Sequence, residues 1–381
     1  MHASVVVGVN EMTPPPIYVT RPSLPDLSDV MPLFAQIWDS RMLTNNGPLL
    51  QRFESALTDY LGVPHISVVA NATLGTVLAM QQAGITSGEV ITTPFSFVAT
   101  SHAIRLAGAT PVFVDIDPVT LNLDPANVAG AITPQTRAIL PVHTFGAPCD
   151  TAGLAKVASH HGLKLLYDAA HAFGVRRDAQ SNLQHGDKSV QRIHATKVFN
   201  TFEGGAVIAP DRETKLAVDR LANFGFADAQ TVDAIGMNAK MNELNAAIGL
   251  AQLCWIDDIL SQRATVAQRY HDQLSDVPGL HCVSPTGVKG HNHYAFPILL
   301  GPDCHVDRDT LLARLEAENI YARRYFYPLI SDLTPYSALP AADPARLPHA
   351  HEAAQQILCL PLYHDLDPTS QDRIIDVVKA L

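Results

Sequence analysis

The chain lacks closely spaced cysteines, an excess of basic residues, and any apolar run long enough to cross a bilayer. Its five cysteines (Cys149, Cys254, Cys282, Cys304 and Cys359) are odd in number and scattered, so no pair has the spacing of a zinc or redox motif. Free thiols in a reducing cytoplasm are the expectation. A formal net charge of -11 excludes nucleic-acid binding through a broad basic face, because phosphate neutralisation needs clustered Lys and Arg. A local cluster around one bound anion is still permitted. Residues 1–30 lack the charged start and apolar run of a secretory signal. There is no internal repeat and no low-complexity tract.

What is present is the profile of a globular protein with a substantial core: hydrophobic residues make up 47% and charged residues 17%. At 381 residues the natural division is a large domain, expected over 1–260, and a smaller one over 261–381. The opening segment carries Pro14, Pro15, Pro16, Pro22 and Pro25, and should run extended over the surface. From Ile66 a regular alternation begins. Strands are predicted at Ile66–Ala70, Glu89–Thr93, Thr110–Ile116, Ala138–His143 and Leu163–Asp168. Helices are predicted at Thr73–Ala83, Ser96–Ala107, Pro125–Ile132 and Thr151–His160. Such alternation gives an α/β fold, a mostly parallel sheet flanked by helices, whose ligands bind beyond the carboxyl ends of the strands. After Asp168 two strands, Ser189–Thr196 and Ala206–Ala209, enclose a turn. A helix at Arg212–Phe224 and one long helix at Asn242–Leu274 follow, the latter a spine between domains. The remainder suits a smaller C-terminal α+β domain.

Three strand-end stretches carry the candidate chemistry. In His194-Ala195-Thr196-Lys197-Val198-Phe199, Lys197 ends a predicted strand among apolar or small neighbours. Most lysines are solvated, but one pressed into such a setting loses its proton more readily, as an imine-forming amine requires. In Tyr167-Asp168-Ala169-Ala170-His171, Asp168 closes a buried strand. Alone, an aspartate there is more often a helix cap. Paired with a strand-end lysine, it suits the protonated pyridine nitrogen of pyridoxal phosphate, and His171 is placed to lie against that ring. In Asn71-Ala72-Thr73, small residues at a helix start let backbone N–H groups approach a phosphate.

Together these segments resemble the DegT/DnrJ sugar aminotransferases of the fold type I class. The resemblance runs from Leu43-Thr44-Asn45-Asn46-Gly47-Pro48 through Pro94-Phe95-Ser96-Phe97, Pro111-Val112-Phe113-Val114-Asp115, Gly236-Met237-Asn238 and Asn245-Ala246-Ala247-Ile248-Gly249 to Leu360-Pro361-Leu362. It implies that Lys197 holds pyridoxal 5'-phosphate covalently and shuttles a proton. It further implies that Asp168 partners the ring nitrogen, that His171 and Phe97 face the ring from opposite sides, and that Ala72 and Thr73 lie at the phosphate. Asn238 matches an asparagine that reaches the phosphate of a neighbouring subunit, which implies a homodimer with shared active sites.

The chain departs from the family pattern at two positions. Ala72 replaces a common Gly, and Arg192 stands where a Ser usually bonds the cofactor phosphate. An arginine there can pair with the phosphate or point elsewhere. The finer texture, including Arg323-Arg324-Tyr325-Phe326-Tyr327-Pro328, resembles the branch that aminates carbon 4 of dTDP-4-keto-6-deoxyglucose with L-glutamate as donor. Amination at carbon 3, a UDP or GDP carrier, and a cofactor-binding regulator without turnover are the alternatives.

Overall fold

The computed structural model describes residues 14–177, 180–283 and 290–381. Residues 1–13 of the opening segment lie outside them. In chain order the elements are β1 (Ile17–Tyr18), α1 (Leu27–Ser40), α2 (Pro48–Leu61), β2 (His65–Val69), α3 (Ala72–Gln82), β3 (Glu89–Thr92), α4 (Ala99–Leu106) and β4 (Thr110–Phe113). Next come α5 (Pro125–Gly130), β5 (Thr136–Ile139), α6 (Thr151–His161), β6 (Lys164–Asp168), β7 (Arg176–Arg177), β8 (Gln180–Ser181), β9 (Lys188–Arg192) and β10 (Gly205–Ala209). The chain continues with α7 (Arg212–Ala222), α8 (Glu243–Leu253), α9 (Ile256–Leu274), β11 (Leu280–Cys282), β12 (Phe296–Leu300), α10 (Arg308–Ala317) and β13 (Ile320–Tyr321). It closes with α11 (Pro348–Gln356), β14 (Ile357–Leu360) and α12 (Pro368–Lys379).

The seven-stranded sheet runs β2-β10-β9-β6-β5-β3-β4. Its β3, β4, β5, β6 and β9 pair in parallel, and β10 lies antiparallel to both neighbours. The expected α/β architecture is therefore present. Both faces are covered, which explains strands made almost wholly of buried residues. On one face α3, α4 and α7 pack through Val77, Leu78, Ile104 and Val218. On the other, α2 and α8 bring Phe53, Leu57 and Ala247 against β2 and β10, while α6 covers β5 and β6.

A second core forms around the antiparallel sheet β11-β12-β14, with α10 and α12 packed on it. Helix α9 joins the two. Its Ile256 and Ile259 lie in the first core, and Val266, Tyr270 and Leu274 in the second. Strand β1 pairs in parallel with β13, so Ile17 belongs to the second core although it stands near the start of the described chain. No helix among the described residues is long and apolar enough to cross a membrane.

Several predicted elements are corrected. The single helix expected over Asn242–Leu274 is two, α8 and α9. Short i−3 bonds from the N–H groups of Cys254 and Trp255 close α8, and the Trp255 indole donates to Asp29 of α1 at 3.0 Å. The strand expected to reach Ile116 stops at Phe113, and Ile116 pairs instead with Leu123. The carboxylate of Asp117 there accepts from the Val119 and Thr120 N–H groups and turns the chain. The helix expected from Ser96 starts at Ala99, because Ser96 bonds Thr100 through its hydroxyl at 2.9 Å and the Phe95 N–H donates to Thr93. That wide turn pushes Phe97 outward.

Two of the helices that begin with proline are each capped by a carboxylate distant in sequence. Pro48 opens α2 with no N–H to satisfy, and Glu243 accepts from Leu49 and Leu50 at 2.9 Å each. A Cβ on Gly47 would lie 2.6 Å from the Glu243 carboxyl carbon, so only glycine admits this cap. Pro348 opens α11, and Asp115 accepts from His349 at 3.0 Å and Ala350 at 2.8 Å. Each cap satisfies N–H groups that a helix leaves open and sets a negative charge at its positive end. Glu243→Gln should lower stability by about 1–3 kcal/mol, the range for a buried charged hydrogen bond, measurable by urea unfolding. A loss under about 0.3 kcal/mol would remove Glu243 as the α2 cap.

Candidate active site

The carboxyl ends of β6 and β9, the start of α3 and the turn before α4 converge on one place. Asp168 is the last residue of β6. Its Oδ1 accepts from the Ala170 N–H at 3.1 Å and its Oδ2 from the Thr100 hydroxyl at 2.7 Å. Thr100 sits in the first turn of α4, and Ser96 holds it in turn. The carboxylate is thus oriented by two elements before any ligand arrives.

Lys197 lies in a turn five residues beyond the end of β9, not at a strand terminus as the sequence suggested. The turn is tight, with the Lys197 N–H donating to His194 O at 2.8 Å and the Ala195 N–H to Phe202 O at 2.8 Å. The residue as a whole is half-buried, but its amine is enclosed. Nζ donates to the Tyr294 hydroxyl at 2.9 Å and lies 4.3 Å from that ring's centroid. Burial, and next the positive charge of Arg192, push the amine down to about 7 from the ordinary 10.5, while Asp168 pulls the other way. A large fraction of Lys197 is therefore neutral at neutral pH.

His171 is buried and stacks on Tyr294, with centroids 4.2 Å apart and ring planes at 9°. Its Nδ1 has no hydrogen-bond partner among the described residues. Burial, then Lys197, then Arg192 hold the ring well below the usual histidine range, so it is neutral. Phe97 is 48% exposed, with the Arg192 guanidinium 5.2 Å from its ring centroid.

Ala72 and Thr73 are the first residues of α3. Asn71 caps that helix by accepting from Leu74 at 3.0 Å, and Gly75 donates to Asn71 O. The N–H groups of Ala72 and Thr73 have no acceptor among the described residues, as helix geometry dictates. Gly205 closes against this turn, where a Cβ would lie 2.5 Å from Ala72 N. The result is a shallow cradle of backbone donors suited to an anion.

Lys197, Asp168 and His171 are thus brought together, with Phe97 joined to them through Arg192 and the turn at Ala72 and Thr73 closed by Gly205, the strand partner of Arg192. Asn238 is not part of that cluster. It is exposed, accepts from Lys240 Nζ at 2.9 Å, and bridges to Asn223 in a loop beside Phe224 and Ile235. Tyr294 is the residue the sequence reading missed. It sits 97 positions from Lys197, and fully buried Arg263 on α9 fixes it by donating to its carbonyl and that of His293. The polar run His291-Asn292-His293-Tyr294 before an apolar strand was its only signal.

Beside Phe97 opens a cavity of about 680 Å³, lined among others by Tyr18, Arg323, Arg324, Tyr325 and Tyr327. Val19, Thr20 and Tyr325 also line a small cleft at Thr196 and Tyr294, so the cavity leads toward Lys197. Arg324 is engaged by Asp309 at 3.1 Å, whereas Arg323 is exposed and makes no ion pair among the described residues.

Residues 28–379 match the model of the DegT/DnrJ/EryC1/StrS aminotransferase family. The dTDP-4-amino-4,6-dideoxy-D-glucose transaminase of Shigella dysenteriae is 46% identical over 366 residues, covering 96% of this chain and 99% of that protein. The structure of DesI in the presence of its TDP-sugar product superposes with a TM-score of 0.91 at 37% identity, over 96% of this chain and 92% of that one. NtdA from Bacillus subtilis, with bound cofactor PMP, gives a TM-score of 0.83 at 26% identity over 92% of this chain and 81% of that one.

In cofactor-free protein, labelling of Lys197 by an amine reagent should follow a titration centred at about 7. Arg192→Gln removes a like charge and should move that midpoint upward. Peptide mass analysis across pH reads both, and a wild-type midpoint near 10 would contradict the burial argument.

Proposed function

The chain belongs to the DegT/DnrJ/EryC1/StrS aminotransferase family, and from that membership we propose that it aminates carbon 4 of dTDP-4-keto-6-deoxyglucose, using L-glutamate as donor and pyridoxal phosphate as cofactor. The observation that carries the reading is the largely neutral, enclosed amine of Lys197 beside the pre-oriented carboxylate of Asp168.

The residues present fit that cofactor. The open N–H groups of Ala72 and Thr73, with Gly205 giving close approach, suit its phosphate. Asp168 suits a protonated ring nitrogen, and the flat neutral rings of His171 and Tyr294 suit an aromatic ligand. When bound, the cofactor supplies an aldehyde carbon that carries the amino group and a ring that draws electrons away from the reacting carbon.

The protein's own residues do the rest. Asp168, held by Thr100 and the Ala170 N–H, would keep a proton on the ring nitrogen of the bound cofactor. Burial and Arg192 push the Lys197 amine down to about 7, which suits an amine that must both accept and return a proton. Tyr294 anchors Nζ at 2.9 Å and limits where that proton is delivered. His171, kept neutral, adds no charge to the ring face.

The nucleotide sugar belongs in the cavity beside Phe97, whose volume of about 680 Å³ lies within the usual range for small-molecule sites. Its exposed, unpaired Arg323 is placed to meet a diphosphate. The substrate choice follows from the Shigella relative. A homodimer with shared sites, with Asn238 reaching the partner's cofactor, accords with the exposed apolar side chains of Phe202, Phe224, Ile235 and Leu244. A cytoplasmic location fits the unpaired cysteines.

Adding L-glutamate to the protein with pyridoxal phosphate should bleach its visible band, and adding dTDP-4-keto-6-deoxyglucose should restore it, with the 4-amino sugar identified by mass and NMR. A response to glutamate but not to the sugar would discard the substrate. A 3-amino product would move the reaction to carbon 3.

A further inference from the structure

Building on the cofactor assignment above, we propose that Arg192 is the side chain that clamps the cofactor phosphate, closing the cradle opened by the first turn of α3.

The direction of Arg192 follows from strand register. Arg192 and Gly205 are direct partners in the antiparallel pair β9-β10, and such partners project to the same face of a sheet. The face of Gly205 is known, because a Cβ there would meet Ala72 N at 2.5 Å and the carbonyl carbon of Asn71 at 2.6 Å. Val190, two residues earlier on β9, confirms the side, since it lies 3.3 Å from a Cβ placed on Gly75 of α3. Arg192 therefore leaves the sheet toward the start of α3. The backbone of Asn71 and Ala72 fills the space a side chain at 205 would need, so the start of α3 lies directly against this face of the sheet.

The guanidinium has no anion of its own. Its one side-chain partner among the described residues is the ring of Phe97, 5.2 Å away. Two other arginines of the region, Arg308 and Arg324, share Asp309 at 2.9 and 3.1 Å. The acidic group at the site, Asp168, is already engaged by Thr100 and Ala170. A half-buried cation beside two free N–H groups and a helix's positive end repels its surroundings until an anion enters. A phosphate answers all three, because a guanidinium presents a planar fork that matches two of its oxygens. The same cation also presses on the Lys197 amine, so phosphate binding and lysine protonation are coupled through one residue. The other oxyanion the reaction brings, the carboxylate of the amino donor, is the competing occupant.

Cofactor-free protein titrated with pyridoxal phosphate and, separately, with pyridoxal decides between them. Pyridoxal shares the ring and aldehyde but lacks the phosphate. Arg192→Gln should weaken pyridoxal phosphate about 10- to 100-fold and change pyridoxal by less than about 3-fold. Arg192→Lys, which keeps the charge without the fork, should fall between, and it carries the comparison if the glutamine variant does not fold. Equal losses for both compounds, or none for either, would overturn the proposal. So would an unchanged affinity for pyridoxal phosphate with a raised KM for L-glutamate, which would give Arg192 to the donor carboxylate. A wild-type protein that binds neither compound would sink the cofactor assignment itself. A wild type that binds pyridoxal phosphate, with Arg192 variants that bind it equally well, removes only the clamp.

Discussion

A primary amine kept out of water beside a guanidinium is the constraint on which the rest of this structure depends. Enclosure alone disfavours the charged form of Lys197, and Arg192 adds like-charge repulsion, so the proton is weakly held at neutral pH. Asp168 opposes both effects, and the balance falls near 7. Its carboxylate is held in place by the Thr100 hydroxyl and the Ala170 N–H.

The fold supplies this arrangement through rigid parts. Strands β6 and β9 end side by side, α3 and α4 begin above them, and the turn carrying Lys197 is closed by its own backbone bonds to His194 and Phe202. Tyr294 packs against the first core and is held by Arg263 on the helix that spans both cores. Asp115, capping α11 from the large sheet, is a further tie between the two halves. The cavity beside Phe97 lies along this seam, with Ser96 and Val98 from one side and Tyr321 to Pro328 from the other. Its shape depends on contacts that no single segment controls.

Much of this was legible in the sequence. The strand-helix alternation, the pairing of Asp168 with Lys197, and the small-residue turn at Ala72 all express local patterns, and local patterns survive folding. The rest required distances that a sequence does not contain. Tyr294 is brought to Lys197 by tertiary packing, and nothing near either residue announces the other. The side to which Arg192 points followed only from its pairing with Gly205. The break between α8 and α9 arises where Trp255 reaches across to Asp29 on α1, a long-range contact that apolar periodicity does not register. Asn238 lies apart from the cluster, exposed and bonded to Lys240.

The most direct test of the central claim is to reduce the protein with borohydride in the presence of pyridoxal phosphate, digest it, and locate the modified residue by mass. The account predicts one phosphopyridoxyl group, carried on Lys197. Modification of a different lysine, or of none, would contradict it.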